Sequence, residues 1–133
     1  MINSKIFDIN FNNPLVLASG ILGVHAEYFK TLEKNNVGGI TTKSISLDPR
    51  KGHKNPIMFN DNHGFMNAVG LSNAGIDKSI EMIKHAKQIV KTPIIASIFG
   101  GNVEEFGELA KLISEAKPDI IEANISCPNV KKE

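Results

Sequence analysis

A single cysteine, Cys127, is all the thiol that the 133-residue chain holds, so an intrachain disulfide is excluded. Long apolar runs are missing too: nothing approaches the roughly 18–20 residues that a membrane span needs. The N-terminus, Met1 to Asn12, alternates polar and apolar residues and lacks the apolar core of a signal peptide. The protein is therefore read as cytoplasmic, with no segment in a membrane. Charge of one sign is not in excess either, since 15 Lys and Arg face 14 Asp and Glu for a net +1. These charges are scattered, which removes the electrostatic case for nucleic acid or an anionic membrane. His25, His53, His63 and His85 show no metal-ligand spacing, and none is assigned to a metal. Small molecules and protein partners remain.

What is present has the size of one domain, about 100–150 residues being commonest. Ile6, Phe7, Ile9 and Phe11 around Asp8, followed by Asn12-Asn13, predict a short hairpin that leads into Pro14 and covers a sheet end. Leu15-Val16-Leu17-Ala18, stopped by Ser19-Gly20, has the pattern of a strand buried on both faces. A helix from His25 to Asn36 follows, with Tyr28, Phe29 and Leu32 on one side, and Val37 to Lys43 is a second strand. Ser44 to Asn73 is too long for a plain connection, loops beyond about 15 residues being mostly functional or disordered. Its apolar Ile57, Met58, Phe59, Phe65, Met66 and Leu71 favour a structured lid over a tether.

From Ile76, the apolar Ile80, Ile83, Ala86, Ile89 and Val90 recur at helical spacing, with His85 on the polar side and an end before Pro93. Pro93 to Phe99 is a third buried strand, closed by Gly100-Gly101. Asn102-Val103-Glu104-Glu105 has the form of an N-cap with an acid at N3. It opens a helix expected to pack through Val103, Phe106, Leu109, Ala110 and Ile113. Pro118 to Asn124 is a fourth strand. Strand and helix in alternation predict a parallel sheet with helices outside, because such crossovers are right-handed.

Two architectures suit that order, an open doubly wound sheet or part of an eight-fold barrel. Ser19, Lys43, Ser97 and Asn124 stand at the C-terminal ends of successive strands, where barrel enzymes keep their sites. This favours an α/β fold that is the N-terminal half of a TIM (β/α)8 barrel preceded by a short β-hairpin. Residues 1–133 then form one incomplete barrel domain of about four strands and three helices.

Cys127 follows the fourth strand and is held by Pro128. A thiol, ordinarily of pKa about 8.5, serves as base or nucleophile where its surroundings lower that value. The alternative is a small buried hydrophobe, but the neighbouring Asn124 and Asn129 favour chemistry. Lys43 is either an exposed charge at a strand end or a cation at the mouth. There it would hold a carboxylate, stabilise a reduced cofactor or, if desolvated, form a Schiff base, and the sequence leaves these open. Gly64 to Asn73 is either an ordinary glycine-rich loop or a grip of backbone amides and Asn side chains on a small planar polar ligand.

Asn124-Ile125-Ser126-Cys127-Pro128-Asn129, Asn13-Pro14-Leu15-Val16-Leu17-Ala18-Ser19-Gly20, Thr41-Thr42-Lys43-Ser44 and Asn67-Ala68-Val69-Gly70-Leu71 together resemble dihydroorotate dehydrogenase of the soluble class 1 type. The likeness covers essentially the whole chain, with the motifs in the right order. Cysteine at 127 resembles class 1, the membrane-associated class 2 enzymes having serine there, and the NAD-linked class 1B catalytic subunit is the nearer likeness. The resemblance implies a TIM barrel that holds FMN over its mouth and oxidises dihydroorotate to orotate in de novo pyrimidine biosynthesis. It implies that Cys127 is the base that removes a proton from the carbon beside the substrate's carbonyl while hydride passes from the neighbouring ring carbon to the flavin. It implies FMN contacts from Ser19, Lys43, Ser44, Ser97 and Asn124. Substrate contacts are implied for Lys43, Asn67, Ala68, Val69, Gly70, Leu71, Asn124 and Asn129. Implied partners are dihydroorotate and orotate, an electron-transfer subunit carrying FAD and an iron-sulfur cluster, and further copies of the full-length chain in a homo-oligomer. No residue decides between NAD and fumarate as electron acceptor.

Two departures from the family pattern stand out. Ser97 occupies a place where relatives often have asparagine. An eight-fold barrel takes about 250 residues, and the family's second lysine, its later asparagine and its glycine-rich flavin-phosphate site fall beyond Glu133. The 133-residue chain is therefore expected to be inactive alone, with its first and fourth strands as exposed edges. Other readings are a dihydropyrimidine dehydrogenase-like flavoenzyme, which typically has histidine where this chain has Asn129, a Schiff-base lyase acting through Lys43 with Cys127 structural, and an inert fragment.

Overall fold

The computed structural model describes residues 2–20 and 22–126; Cys127 and Asn129 lie outside them. The chain opens with an antiparallel hairpin, β1 (Ser4–Ile6) and β2 (Ile9–Phe11), in which Ile6 faces Ile9. Next come β3 (Val16–Leu17), helix α1 (Ala26–Lys34) and β4 (Gly39–Thr41). A second antiparallel hairpin, β5 (Met58–Asp61) and β6 (Gly64–Asn67), occupies the expected lid. Helix α2 (Ile76–Ile89), β7 (Ile94–Ile98), α3 (Val103–Ile113), a 3-10 turn (Ser114–Ala116) and β8 (Ile120–Ala123) complete the described chain.

The main sheet is parallel, with strand order β3-β4-β7-β8. Each new strand is laid on the same side of the last, as in a barrel, whereas a doubly wound sheet reverses its order at a switch point. β7 has neighbours on both sides and helices behind it, and all five of its residues are buried. Ile40, Ile94, Ala96 and Ile98 from the sheet meet Phe29, Ile83, Ala86, Leu109 and Ile113 from the three helices in one core. Burying each of the larger aliphatic side chains contributes about 1.5–3 kcal/mol.

The first hairpin seals the N-terminal end of this sheet. Phe11 is buried while Ile6 and Phe7 face outward. Its ring lies so close to Gly39 that a Cβ there would meet Phe11 Cε1 at 2.7 Å. Only glycine admits the ring at that approach. The expected N-cap is present: Asn102 Oδ1 accepts from Glu105 N at 2.8 Å, and the Glu105 carboxylate reaches back to Gly101 N at 2.6 Å.

Three expectations on burial are corrected. The Leu15 to Ala18 run is not buried on both faces: Leu15 is 70% and Val16 39% exposed, because β3 is an edge of the sheet with no strand beyond it. Tyr28 turns outward, half exposed, with its ring edge-on to His25 at 5.6 Å, and Phe29 alone is fully buried on that turn. Val103 is 81% exposed because it is the first residue of α3, and the helix packs instead through Leu109 and Ile113 with Phe106 and Ala110 beside them. At the other edge β8 is exposed or partly so, so the first and fourth strands are both edges, as expected.

Candidate functional site

The C-terminal ends of the four sheet strands carry a connected set of polar side chains. Ser19 Oγ donates to the Thr42 carbonyl at 2.8 Å and lies 3.3 Å from Ser44 Oγ. Ser44 Oγ is 3.0 Å from Ser97 Oγ and accepts from Asn124 Nδ2 at 3.0 Å. The parallel pairing accounts for these meetings, since Ile45 bridges Ile98 and the Asn124 N–H bonds the Ile98 carbonyl. Thr42, fully buried, accepts the Ser97 N–H on its hydroxyl at 3.1 Å and so ties the second strand to the third.

In front of this set lies a cavity of about 450 Å³, lined by Ser19, Gly20, Lys43, Ser44, Met58, Asn67, Val69, Gly70, Leu71 and Asn124. That volume falls within the roughly 300–1,000 Å³ range of small-molecule sites. Lys43 is its cation, partly buried, with no ion pair or hydrogen bond to its ammonium among the described residues. Gly20 takes φ +95°, and a Cβ there would stand 3.8 Å from Lys43 Nζ, in the space the cavity keeps open.

The opposite wall comes from the segment after the second hairpin. Leu71 has a left-handed φ of 53°, uncommon for a residue with a Cβ, and is nevertheless buried. Asn73 holds it there. Its Nδ2 donates to the Leu71 carbonyl and to Ser46 Oγ at 2.9 Å each, while its Oδ1 accepts from Gly75 N at 2.9 Å. Arg50 and Asn73 exchange two backbone hydrogen bonds of 3.0 Å, and His53 N donates to the Val69 carbonyl at 3.1 Å. The wall is thus a braced structure, with the Arg50 guanidinium also 5.8 Å above the Phe99 ring.

The family model for dihydroorotate dehydrogenase matches residues 1–133. The chain belongs to the dihydroorotate dehydrogenase family. It is 45% identical to the "Dihydroorotate dehydrogenase B (NAD(+)), catalytic subunit" of Methanocaldococcus jannaschii, over 98% of this chain and 44% of that protein. Relatives of the same name from Pyrococcus abyssi and Pyrococcus furiosus are 40% and 42% identical, over 98% of this chain and 43% and 42% of theirs. The chain thus spans less than half the length of these curated relatives. Among solved structures, a dihydroorotate dehydrogenase of Eimeria tenella in complex with ferulenol superposes with a TM-score of 0.83 at 22% identity, covering 97% of this chain and 37% of that one. That likeness shows the fold, the N-terminal part of a TIM barrel.

Of the residues singled out in the sequence, Ser19, Lys43, Ser44, Asn67, Val69, Gly70, Leu71 and Asn124 come together on the one cavity. Ala68 is not among the residues lining it and lines a neighbouring surface depression with Met58 and Met66. Ser97 is fully buried behind Ser44, so in this structure it reaches the cavity only through that hydroxyl. Asn73, Thr42, Gly20 and Met58 were not singled out as site residues. Thr42 and Gly20 lie inside motifs already noted and Asn73 ends the Gly64 to Asn73 stretch, but the structure uses its side chain to brace the wall and not to grip a ligand.

A flavin ring suits this cavity on its lining: an ammonium, side-chain amides and a hydroxyl together with the apolar Met58, Val69 and Leu71. Such a wall meets the polar edge and the apolar faces of a flat ring. Among the described residues no three His, Cys, Asp or Glu gather as metal ligands, and no helix is long and apolar enough to cross a membrane. His85 instead faces Glu27 at 3.5 Å between α2 and α1.

Proposed function

We propose that this chain carries half of the catalytic mouth of an FMN-dependent dihydroorotate dehydrogenase, residues 1–133 being an incomplete barrel domain that is inactive alone. The observation that carries the reading is the convergence of Ser19, Lys43, Asn67, Val69 to Leu71 and Asn124 on one cavity, in a member of this family. Lys43 supplies positive charge to a substrate carboxylate or to a ring that gains charge, and Ser19 and Asn124 form the flavin side of the mouth, with Ser44 and Ser97 behind them. Asn67 to Leu71 with Asn124 and Asn129 hold the substrate's polar edge. Cys127 acts as the base, because a carbon acid needs an acceptor placed within reach of its proton. FMN held there would supply the hydride acceptor for the neighbouring ring carbon.

The relatives' names, NAD(+) enzymes and catalytic subunits, support NAD as acceptor and a partner subunit, which the family resemblance implies to carry FAD and an iron-sulfur cluster. The complete enzyme is proposed to be a cytoplasmic homo-oligomer of this subunit. The test compares the 133-residue chain with a version extended through a full barrel. The extended protein is expected to be yellow and to oxidise dihydroorotate, and Cys127→Ala to retain flavin while losing oxidation. An extended protein without flavin absorbance and without dihydroorotate oxidation overturns the proposal. Equal flavin binding by the short chain overturns the claim that the second half is needed.

A further inference from the structure

Counting protons in the hydroxyl set assigns it a direction. A serine hydroxyl has one proton to give and two lone pairs to accept with. Ser19 gives its proton to the Thr42 carbonyl at 2.8 Å, so the 3.3 Å contact between Ser19 and Ser44 is a hydrogen bond only if Ser44 donates it. Ser44 then has no proton left for Ser97 at 3.0 Å, and Ser97 must donate to Ser44. For the same reason Asn124 must present its nitrogen to Ser44, as it does at 3.0 Å, because an amide oxygen there would compete for a proton already committed. Ser44 is thereby saturated by protein groups. Asn124 keeps its carbonyl oxygen and one N–H without a partner among the described residues, on a side chain that lines the cavity.

We propose that Ser44 and Ser97 are positioning residues rather than direct ligands: the one-way chain Ser97 to Ser44 to Ser19 to the Thr42 carbonyl fixes the Asn124 amide in a single orientation. It offers a ligand one acceptor and one donor in fixed order, the complement of a planar ring with adjacent N–H and carbonyl groups. In a chain whose amide were free to flip, either order would be presented and half the population would oppose the ligand. The short, fully buried Ser97 fits this role because it reaches Ser44 and nothing in the cavity.

The first measurement needs no ligand and so does not depend on the proposed function: side-chain amide proton exchange of Asn124 by NMR in the unmodified chain, Ser44→Ala, Ser44→Thr and Ser97→Ala. Asn124 exchange is expected to accelerate about tenfold in Ser44→Ala and severalfold in Ser97→Ala, as a lost hydrogen bond of ordinary strength implies, and to be restored in Ser44→Thr. The second measures orotate binding to the full-barrel version, where Ser44→Ala is expected to weaken binding about five- to tenfold and Ser44→Thr to recover it. Unchanged Asn124 exchange in folded Ser44→Ala and Ser97→Ala overturns the proposal. If Ser44→Ala fails to fold, Ser97→Ala decides it alone. An exchange response without orotate binding leaves the positioning intact and refutes the dihydroorotate reading.

Discussion

The two ends of the same parallel sheet are built on opposite principles. At the N-terminal end Glu33, Asp119 and Asn13 are spent on the chain itself. Glu33 accepts from Lys91 N at 2.6 Å and from Thr92 N at 2.9 Å, and Asp119 accepts from Ile94 N while meeting Lys87 at 2.8 Å. Asn13 accepts from Leu15 N and donates to the Asn36 carbonyl, and Phe11 fills the remaining space. At the C-terminal end the hydroxyls satisfy one another, but Lys43 and part of Asn124 are left for something else. One end spends its hydrogen bonds on stability, and the other withholds them, which separates scaffold from site within one sheet.

Perturbing each end should move a different observable. Phe11→Ala has the largest expected effect, a loss of about 3–5 kcal/mol in urea unfolding from the emptied plug. Glu33→Ala comes next, at about 1 kcal/mol, because it removes the acceptor of the part-buried Thr92 N–H and of the exposed Lys91 N–H. Burial pushes the Glu33 carboxyl up, but the hydrogen bonds from Lys91 and Thr92, with the Lys91 charge, hold it below its ordinary 4.5. Its lowered pKa means that its contribution is complete above pH 4.5 and fades as pH falls through the folded value. Glu33→Gln should accordingly flatten the acid limb of a stability-against-pH curve, and an unaltered limb would count against this account.

Asn102→Ala tests whether the C-terminal end also contains pure scaffold, and should cost about 1 kcal/mol through the lost cap of α3. Lys43→Met should change unfolding stability least, within about 0.5 kcal/mol. In the full-barrel version the same substitution should weaken orotate binding at least about tenfold, equivalent to about 1.4 kcal/mol. A stability loss from Lys43→Met as large as that from Phe11→Ala would erase the distinction between the ends.

Elements with sharp punctuation were legible in the sequence. Pro93 and Gly100 bracket β7, and Asn102 with Glu105 marks the start of α3, because these signals act within a few residues. β3 shows the limit: its apolar run reads like that of β7, yet it lies at an edge, and burial depends on whether a strand stands beside it. The Ser44 to Asn73 segment is structured, but not by burying its apolar residues: Met58, Phe59, Phe65 and Met66 stay 59–76% exposed on the hairpin, and neither its register nor the Asn73 brace was legible. Cys127 and Asn129 rest on motif alone, since they lie outside the described residues.

By itself, the sequence determined the alternation of strands and helices, the hairpin at the start, the family and the strand ends that gather at one mouth. Those follow from periodicity, caps and short motifs, which are local. Only the tertiary structure decided which of the gathered groups are spent and which are spared. Ser44 meets Ser19, Ser97 and Asn124 across separations of 25, 53 and 80 positions, and a hydroxyl's single proton is allocated only once all three are in place.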